Sequence, residues 1–191
     1  MSTSGKPRKQ RPIDALDLLK ADHGKVKQLF REFERMRGVD DDDDERKAEL
    51  VDEICYELTV HSMIEEEIFY PALRAVADDD DMMDEADVEH AGARDLISQL
   101  EVMYPGDDHF DATVTVLGEE VAHHIEKEES ELFEAARAAG LNLAALGQRM
   151  AARKDELDED LASPPSSLNG IDGIDATLPH EGARRAPRPP N

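Results

Sequence analysis

His61–Ala75 reads HSMIEEEIFYPALRA, and His124–Ala138, starting 63 residues later, reads HIEKEESELFEAARA. In each, a histidine is followed four residues on by a glutamate (Glu65, Glu128), then by a second glutamate (Glu66, Glu129), a hydrophobic pair and an Arg-Ala ending. Around them, apolar residues recur at alternating steps of three and four in four segments, the mark of a helix with one buried seam. The seams are Leu16, Leu19, His23, Val26, Phe30, Phe33; then Val51, Ile54, Leu58, His61, Glu65, Ile68, Ala72; then Met83, Ala86, His90, Ala93, Ile97, Leu100, Tyr104. The fourth is Val114, Leu117, Val121, His124, Glu128, with Ala135 following a break at Glu131.

Boundary signals agree with this phasing. Asp14 followed by Asp17 forms an N-cap arrangement, and Gly38 with the acidic run behind it stops the first helix. Acidic residues at Asp78–Asp81 and the turn Pro105-Gly106-Asp107 separate the others. Connections this short join antiparallel neighbours, so the expected fold is all-α: an up-down-up-down antiparallel four-helix bundle with an additional C-terminal helix. The bundle is expected over 13–140, preceded by a disordered basic arm at 1–12. An accessory amphipathic helix (Leu143, Leu146, Met150, Leu157) follows over 141–162, packed outside the bundle or on a partner. A Pro/Gly/Ser-rich tail, 163–191, cannot bury enough apolar surface to order itself. The halves repeat: Asp22-His23 with Lys27, Leu29 and Phe30 matches Glu89-His90 with Arg94, Leu96 and Ile97.

Each seam is interrupted by the same chemistry. His23, His61, His90 and His124 all take inward positions, and Glu65 and Glu128 lie one seam step beyond the second and fourth of them. A step of four turns a helix by about 40° and rises about 6 Å, so each His-x-x-x-Glu aims two donors at one place. An ionised glutamate buried alone costs several kcal/mol, and two together repel. A dinuclear cation site, with carboxylates bridging ions roughly 3.5–4 Å apart, removes both objections. Imidazole and carboxylate without thiolate suit Fe or Mn, with Zn possible.

Composition narrows the function classes. Net charge is −24, from 46 acidic and 22 basic residues, which disfavours nucleic acid and anionic membrane as partners and favours a monomer or weak homodimer. The run Asp40–Glu45 lacks the spacing and glycine of an EF-hand, which argues against a Ca²⁺ buffer. One cysteine, Cys55, excludes an intrachain disulfide and suits a reducing compartment. With no apolar stretch behind the basic N-terminus and no run of membrane-spanning length, a cytoplasmic location is expected.

The lone histidine of DHGKVKQLF, HSMIE, EHAGARDLI and HIEKE together resemble the haemerythrin family, specifically its HHE cation-binding type, over about Asp14–Ala139. The resemblance implies two irons, oxo- or hydroxo-bridged, held by His23, His61, Glu65, His90, His124 and Glu128, and O₂, H₂O₂ or NO as small ligands. Reversible O₂ carriers of this family have a second third-helix histidine four residues from the first. Here the corresponding positions are Arg94 and Ala86. Counting octahedral positions leaves about two of roughly twelve open, against about one in the carriers. A more open pair suits turnover of peroxide, so a catalase-like di-iron activity is the leading expectation. Non-catalytic binding or sensing of O₂, NO or iron is the alternative. Ferritin-like iron oxidation fits less well, since it calls for Glu-x-x-His rather than His-x-x-x-Glu. Candidates for an extra ligand are Glu57, Glu131 and, about 140° off the His61 direction, Tyr56. His123 and Arg94 are assigned supporting positions behind the ligands; His109 and His180 are not expected to coordinate. Phe30, Phe33, Phe69, Leu132 and Phe133 are expected in the core, walling the site from water.

Overall fold

In the computed structural model, residues 14–37, 44–77 and 81–162 are described. The basic arm, the tail with His180, Gly38 and most of the two acidic runs lie outside them. Five helical rods account for the fold, and no strand occurs among the described residues. They are α1 (Ala15–Met36), α2 (Asp44–Ile64, continued through Glu65–Phe69 and Tyr70–Arg74), α3 (Asp81–Leu100), α4 (Phe110–Lys127, continued through Glu128–Leu132 and Phe133–Ala138) and α5 (Leu143–Ala162). As the sequence predicts, α1 starts at an Asp14 cap whose carboxylate accepts the Asp17 N–H at 2.9 Å.

The rods pair α1 with α2 and α3 with α4, and contacts of α2 with α3 and of α1 with α4 close the four-helix ring. The fifth helix packs outside this ring, on α1, α2 and the Glu65–Phe69 turn. Two apolar clusters fill the interior. One gathers Leu16, Leu19, Ile64, Phe69, Leu73, Met83 and Phe133 with Leu146, Met150 and Leu157 of α5; the other gathers Val26, Phe33, Ile54, Ile97, Phe110, Leu117 and Ile125. The buried polar residues Asp22, His23, Glu57, His61, Glu65, His90, His124 and Glu128 occupy the level between them.

Both long rods widen into a π turn, and in both the wide turn begins at the seam glutamate: Glu65–Phe69 in α2 and Glu128–Leu132 in α4. The N–H of Tyr70 bonds to the carbonyl of Glu65, and that of Phe133 to Glu128, each spanning five residues instead of four. One extra residue is absorbed, and the seam slips by one. Leu73 is therefore fully buried where the pattern predicts Ala72, and Phe133 and Ala136 lie in the core past the break seen at Glu131. The third seam also ends earlier than its pattern suggests. The helix stops at Leu100, and Tyr104 is 72 % exposed ahead of a Gly106 turn with φ of +89°.

Candidate metal centre

The side chains on the four seams meet in two groups. His23, His61, Glu65 and Glu128 form one; Glu65, His90 and His124 form the other. In the first, Nε2 of His23 is 3.2 Å from Nε2 of His61 and 3.1 Å from Oε2 of Glu128. In the second, Nε2 of His90 is 3.2 Å from Nε2 of His124. Glu65 belongs to both: Oε1 is 3.3 Å from His61 Nε2, and Oε2 is 3.4 Å from His90 Nε2.

Behind each ring stands a carboxylate. Nδ1 of His23 donates to Glu129, Nδ1 of His90 to Glu66 and Nδ1 of His124 to Glu89, each at 2.9 Å. Nδ1 of His61 faces Asp22 at 3.7 Å. Each histidine is thus supported from the preceding helix of the ring, with α4 supporting α1. Donation from Nδ1 fixes the tautomer and leaves the lone pair on Nε2, where a metal ligand needs it.

This arrangement tests whether a cation fits. With Nδ1 carrying the proton, the Nε2 lone pairs of His90 and His124 face one another at hydrogen-bonding distance with no proton between them. Oε1 of Glu65 and both oxygens of Glu128 are buried without a hydrogen-bond partner. Glu65 is 0 % and Glu128 1 % exposed. Such a set is costly by itself and complementary to positive charge. Separations of 3.1–3.4 Å are also close to the ~3 Å between neighbouring corners of an octahedron with arms of about 2.1 Å. The residues fit a pair of cations.

The electrostatics point the same way. Burial pushes the Glu65 carboxyl far above the ordinary range, and the neighbouring Glu128 pushes it further. Burial raises Glu128 too, but the adjoining His23, Glu65 and His61 side chains outweigh it and hold Glu128 at about 2. One of the pair is ionised at the other's expense, which is how two carboxyls behave when crowded without a cation. Burial pulls His61 below the usual histidine range despite Asp22, and burial with His124 alongside pulls His90 down to about 4. Both imidazoles are held neutral, the form that binds metal.

Beside the four Nε2 atoms lies a cavity of about 40 Å³, walled by Val26, Leu58, Ala93, Ile97, Val121 and Ile125 and rimmed by Ser62, Glu89, Arg94 and Glu120. That volume exceeds the ~10–15 Å³ one water requires, so a two- or three-atom ligand has room.

The suggested extra ligands lie elsewhere. Glu57 accepts Lys25 at 2.7 Å, the Tyr56 hydroxyl donates to Asp158 of α5, and Glu131 is exposed because the wide turn rotates it outward. His123 is exposed on α4, while Arg94 donates to the same Glu66 oxygen that supports His90. Cys55 is half-buried, and burial pushes its thiol up to about 12, so it offers no reactive thiolate. The residue that the periodicity misses is Tyr70. Its hydroxyl donates a long hydrogen bond (3.4 Å) to Oε2 of Glu65 and lies 3.5 Å from Nε2 of His90.

An antiparallel helical bundle with an interior His/Glu cation-binding centre is the class defined by this fold and site. The chain belongs to the haemerythrin family: the model described as "Hemerythrin HHE cation binding domain" matches residues 14–136. The crystal structure of a Hemerythrin HHE cation binding domain-containing protein from Mycobacterium kansasii is similar, with a TM-score of 0.66 and 25% identity over 78% of this chain and 90% of that one. A DNA nickase of Nostoc sp. (strain PCC 7120) is 31% identical over 121 residues, 63% of this chain. This chain spans about a third of that relative's length, matching 33% of it.

Proposed function

We propose that this protein holds two iron ions at its His/Glu centre and decomposes hydrogen peroxide there. The observation that supports this reading best is the Glu65 carboxylate, one oxygen against each of two histidine pairs. Iron would be held by His23, His61, Glu65 and Glu128 in one set and by His90, His124 and the shared Glu65 in the other. When bound, the ions supply reversible one-electron redox change and Lewis acidity. The protein's own part is to orient the imidazoles through the carboxylates behind them and, by burial, to keep His61 and His90 neutral. The apolar cavity walls admit a small neutral ligand and keep bulk water from the centre. The donor count is uneven, four against three, and this favours ligand access at the His90/His124 set.

Proteins loaded with iron under reducing conditions and then oxidised should carry two irons per chain and show oxo-to-iron charge transfer in the near ultraviolet. Added peroxide should then release O₂, followed with an oxygen electrode. Full iron loading with no O₂ release would replace turnover by the second reading, non-catalytic binding of O₂, NO or iron. That reading has one observation in its favour: α5 is tied into the support of a ligand histidine and so offers a route for relaying the centre's state.

The nicking activity named for the Nostoc relative is not extended to this chain. The match covers a third of that protein, and a net charge of −24 opposes binding to a polyanion. No helix among the described residues is long and apolar enough to cross a membrane; a cytoplasmic location is part of the proposal.

A further inference from the structure

Each carboxylate behind a histidine is itself paired with a cation. Glu129 has Lys27 at 3.7 Å, Glu66 has Arg94, and Glu89 has Lys127 at 3.2 Å. Asp22 has Lys154 at 2.6 Å. Lys27, Arg94 and Lys127 belong to the four bundle helices, whereas Lys154 comes from α5. The repeat explains the exception. Lys127 is the fourth residue of HIEKE, and the matching residue of HSMIE is Ile64, fully buried. In the α1/α2 half an apolar residue takes the place of the lysine, α5 covers it, and α5 returns the missing charge from outside.

The seat of α5 is specific. Arg153 grips Glu67, inside the wide turn of α2, at 2.7 Å, and Asp158 accepts the Tyr56 hydroxyl. Between these ties, Lys154 is mostly covered and reaches Asp22, whose second oxygen faces Nδ1 of His61. The support of His61 is also the loosest of the four at 3.7 Å, and both facing atoms, Asp22 Oδ2 and His61 Nδ1, are buried without another partner. Orientation of this ring therefore depends on how firmly Asp22 is held, and Lys154 is what holds it.

We infer that Lys154 is a positioning residue for the metal centre: by holding Asp22 behind His61, the fifth helix sets the strength of one of the two metal positions. This rests on the reading that the His23/His61/Glu65/Glu128 set binds a metal ion. Supporting groups of this kind are worth roughly 10–100-fold in metal affinity.

The test uses the full iron-loaded chain and three variants. Lys154→Met keeps length and packing but removes the charge, Lys154→Arg restores it, and Arg153→Met cuts a neighbouring tie of α5 without touching Asp22. Iron release to a chelator is timed, with the near-ultraviolet spectrum recorded in parallel. Lys154→Met should release one of its two irons at least tenfold faster and shift the charge-transfer band, while Lys154→Arg and Arg153→Met stay close to wild type. Wild-type retention of both irons by Lys154→Met overturns the proposal. So does equal loss in Arg153→Met, which would assign the effect to docking of α5 alone. A wild-type chain that takes up no iron, or a His61→Ala chain that keeps both, would overturn the underlying metal reading as well, and is told apart by needing no Lys154 variant.

Discussion

The Tyr70 hydroxyl donates to the Glu65 carboxylate from five residues further along the same helix. In a regular α-helix that offset points about 140° away. The wide turn Glu65–Phe69 brings the two onto one face, and the equivalent turn in α4 places Phe133 flat against His23, with ring centroids 5.9 Å apart and planes 4° from parallel. Tyr70 is tilted 31° against His90 at 5.6 Å. The two halves thus present a phenol to one metal set and a bare ring to the other.

Tyr70→Phe makes the halves alike. It removes a donor from a carboxylate, an interaction worth about 1–2 kcal/mol, so one ion should be held roughly tenfold more weakly. Chelator competition on the iron-loaded variant measures this; unchanged retention of both ions would remove Tyr70 from the centre.

Glu65→Gln should separate the loaded and metal-free states by sign. Its folded carboxyl is pushed well up, so Glu65 costs stability increasingly as pH rises above the ordinary carboxyl range. At pH 8 the metal-free variant should therefore be more stable than wild type by about 1–2 kcal/mol, while iron binding collapses. Denaturant melts with and without iron decide it. A metal-free loss of stability would contradict the crowding of Glu65 against Glu128.

The pH dependence of the metal-free chain follows from His90. Burial and His124 lower it from 6.5 to about 4, so between those values the unfolded chain takes up a proton and the folded one does not. Stability is present above about 6.5 and is lost as pH falls towards 4, by ~3 kcal/mol for a shift of this size. The Glu65→Gln background removes the opposing slope, and melts at pH 7.5, 5.5 and 4.5 should show steady decline. A flat profile would mean His90 is not buried neutral.

Two helical glycines should respond oppositely to alanine. A Cβ at Gly24 meets nothing within 4 Å, so Gly24→Ala should gain about 0.5–1 kcal/mol from helix propensity alone. At Gly118 it would lie 3.0 Å from Cδ1 of Phe30, and Gly118→Ala should lose ~1 kcal/mol as the ring is displaced. Thermal melts of both variants give the comparison.

Much of this centre is legible in the sequence because it obeys period and repetition. Four histidines and two glutamates stand on seams that a helix must bury, and all six meet in the interior; their grouping differs from the His-x-x-x-Glu spacing, since Glu128 joins His23 and His61 while His124, four residues before it, joins His90 and Glu65. The repeat also marks Asp22/Glu89 and Lys27/Arg94 before any role is visible. The structure gives them one, as carboxylates behind His61 and His124 and as cations beside Glu129 and Glu66. What periodicity could not supply is the wide turn. It changes the angle between residue 65 and residue 70 and turns Glu131 outward, so a regular wheel admits Glu131 while hiding Tyr70. The one available signal was the break in the fourth seam at Glu131. Likewise, no spacing rule connects Lys154 to Asp22, 132 positions apart, because that contact is made by packing of α5.

The polar layer divides the interior into two separate apolar bodies, one of them sealed by α5. Oil does not run continuously along this barrel of helices, so cations bound at this level would act as mortar between two stones. Stripping them should let the ends breathe independently, with amide hydrogens of α3 and α4 around Ile97 and Leu117 exchanging sooner than those of α1 and α2 beneath the fifth helix.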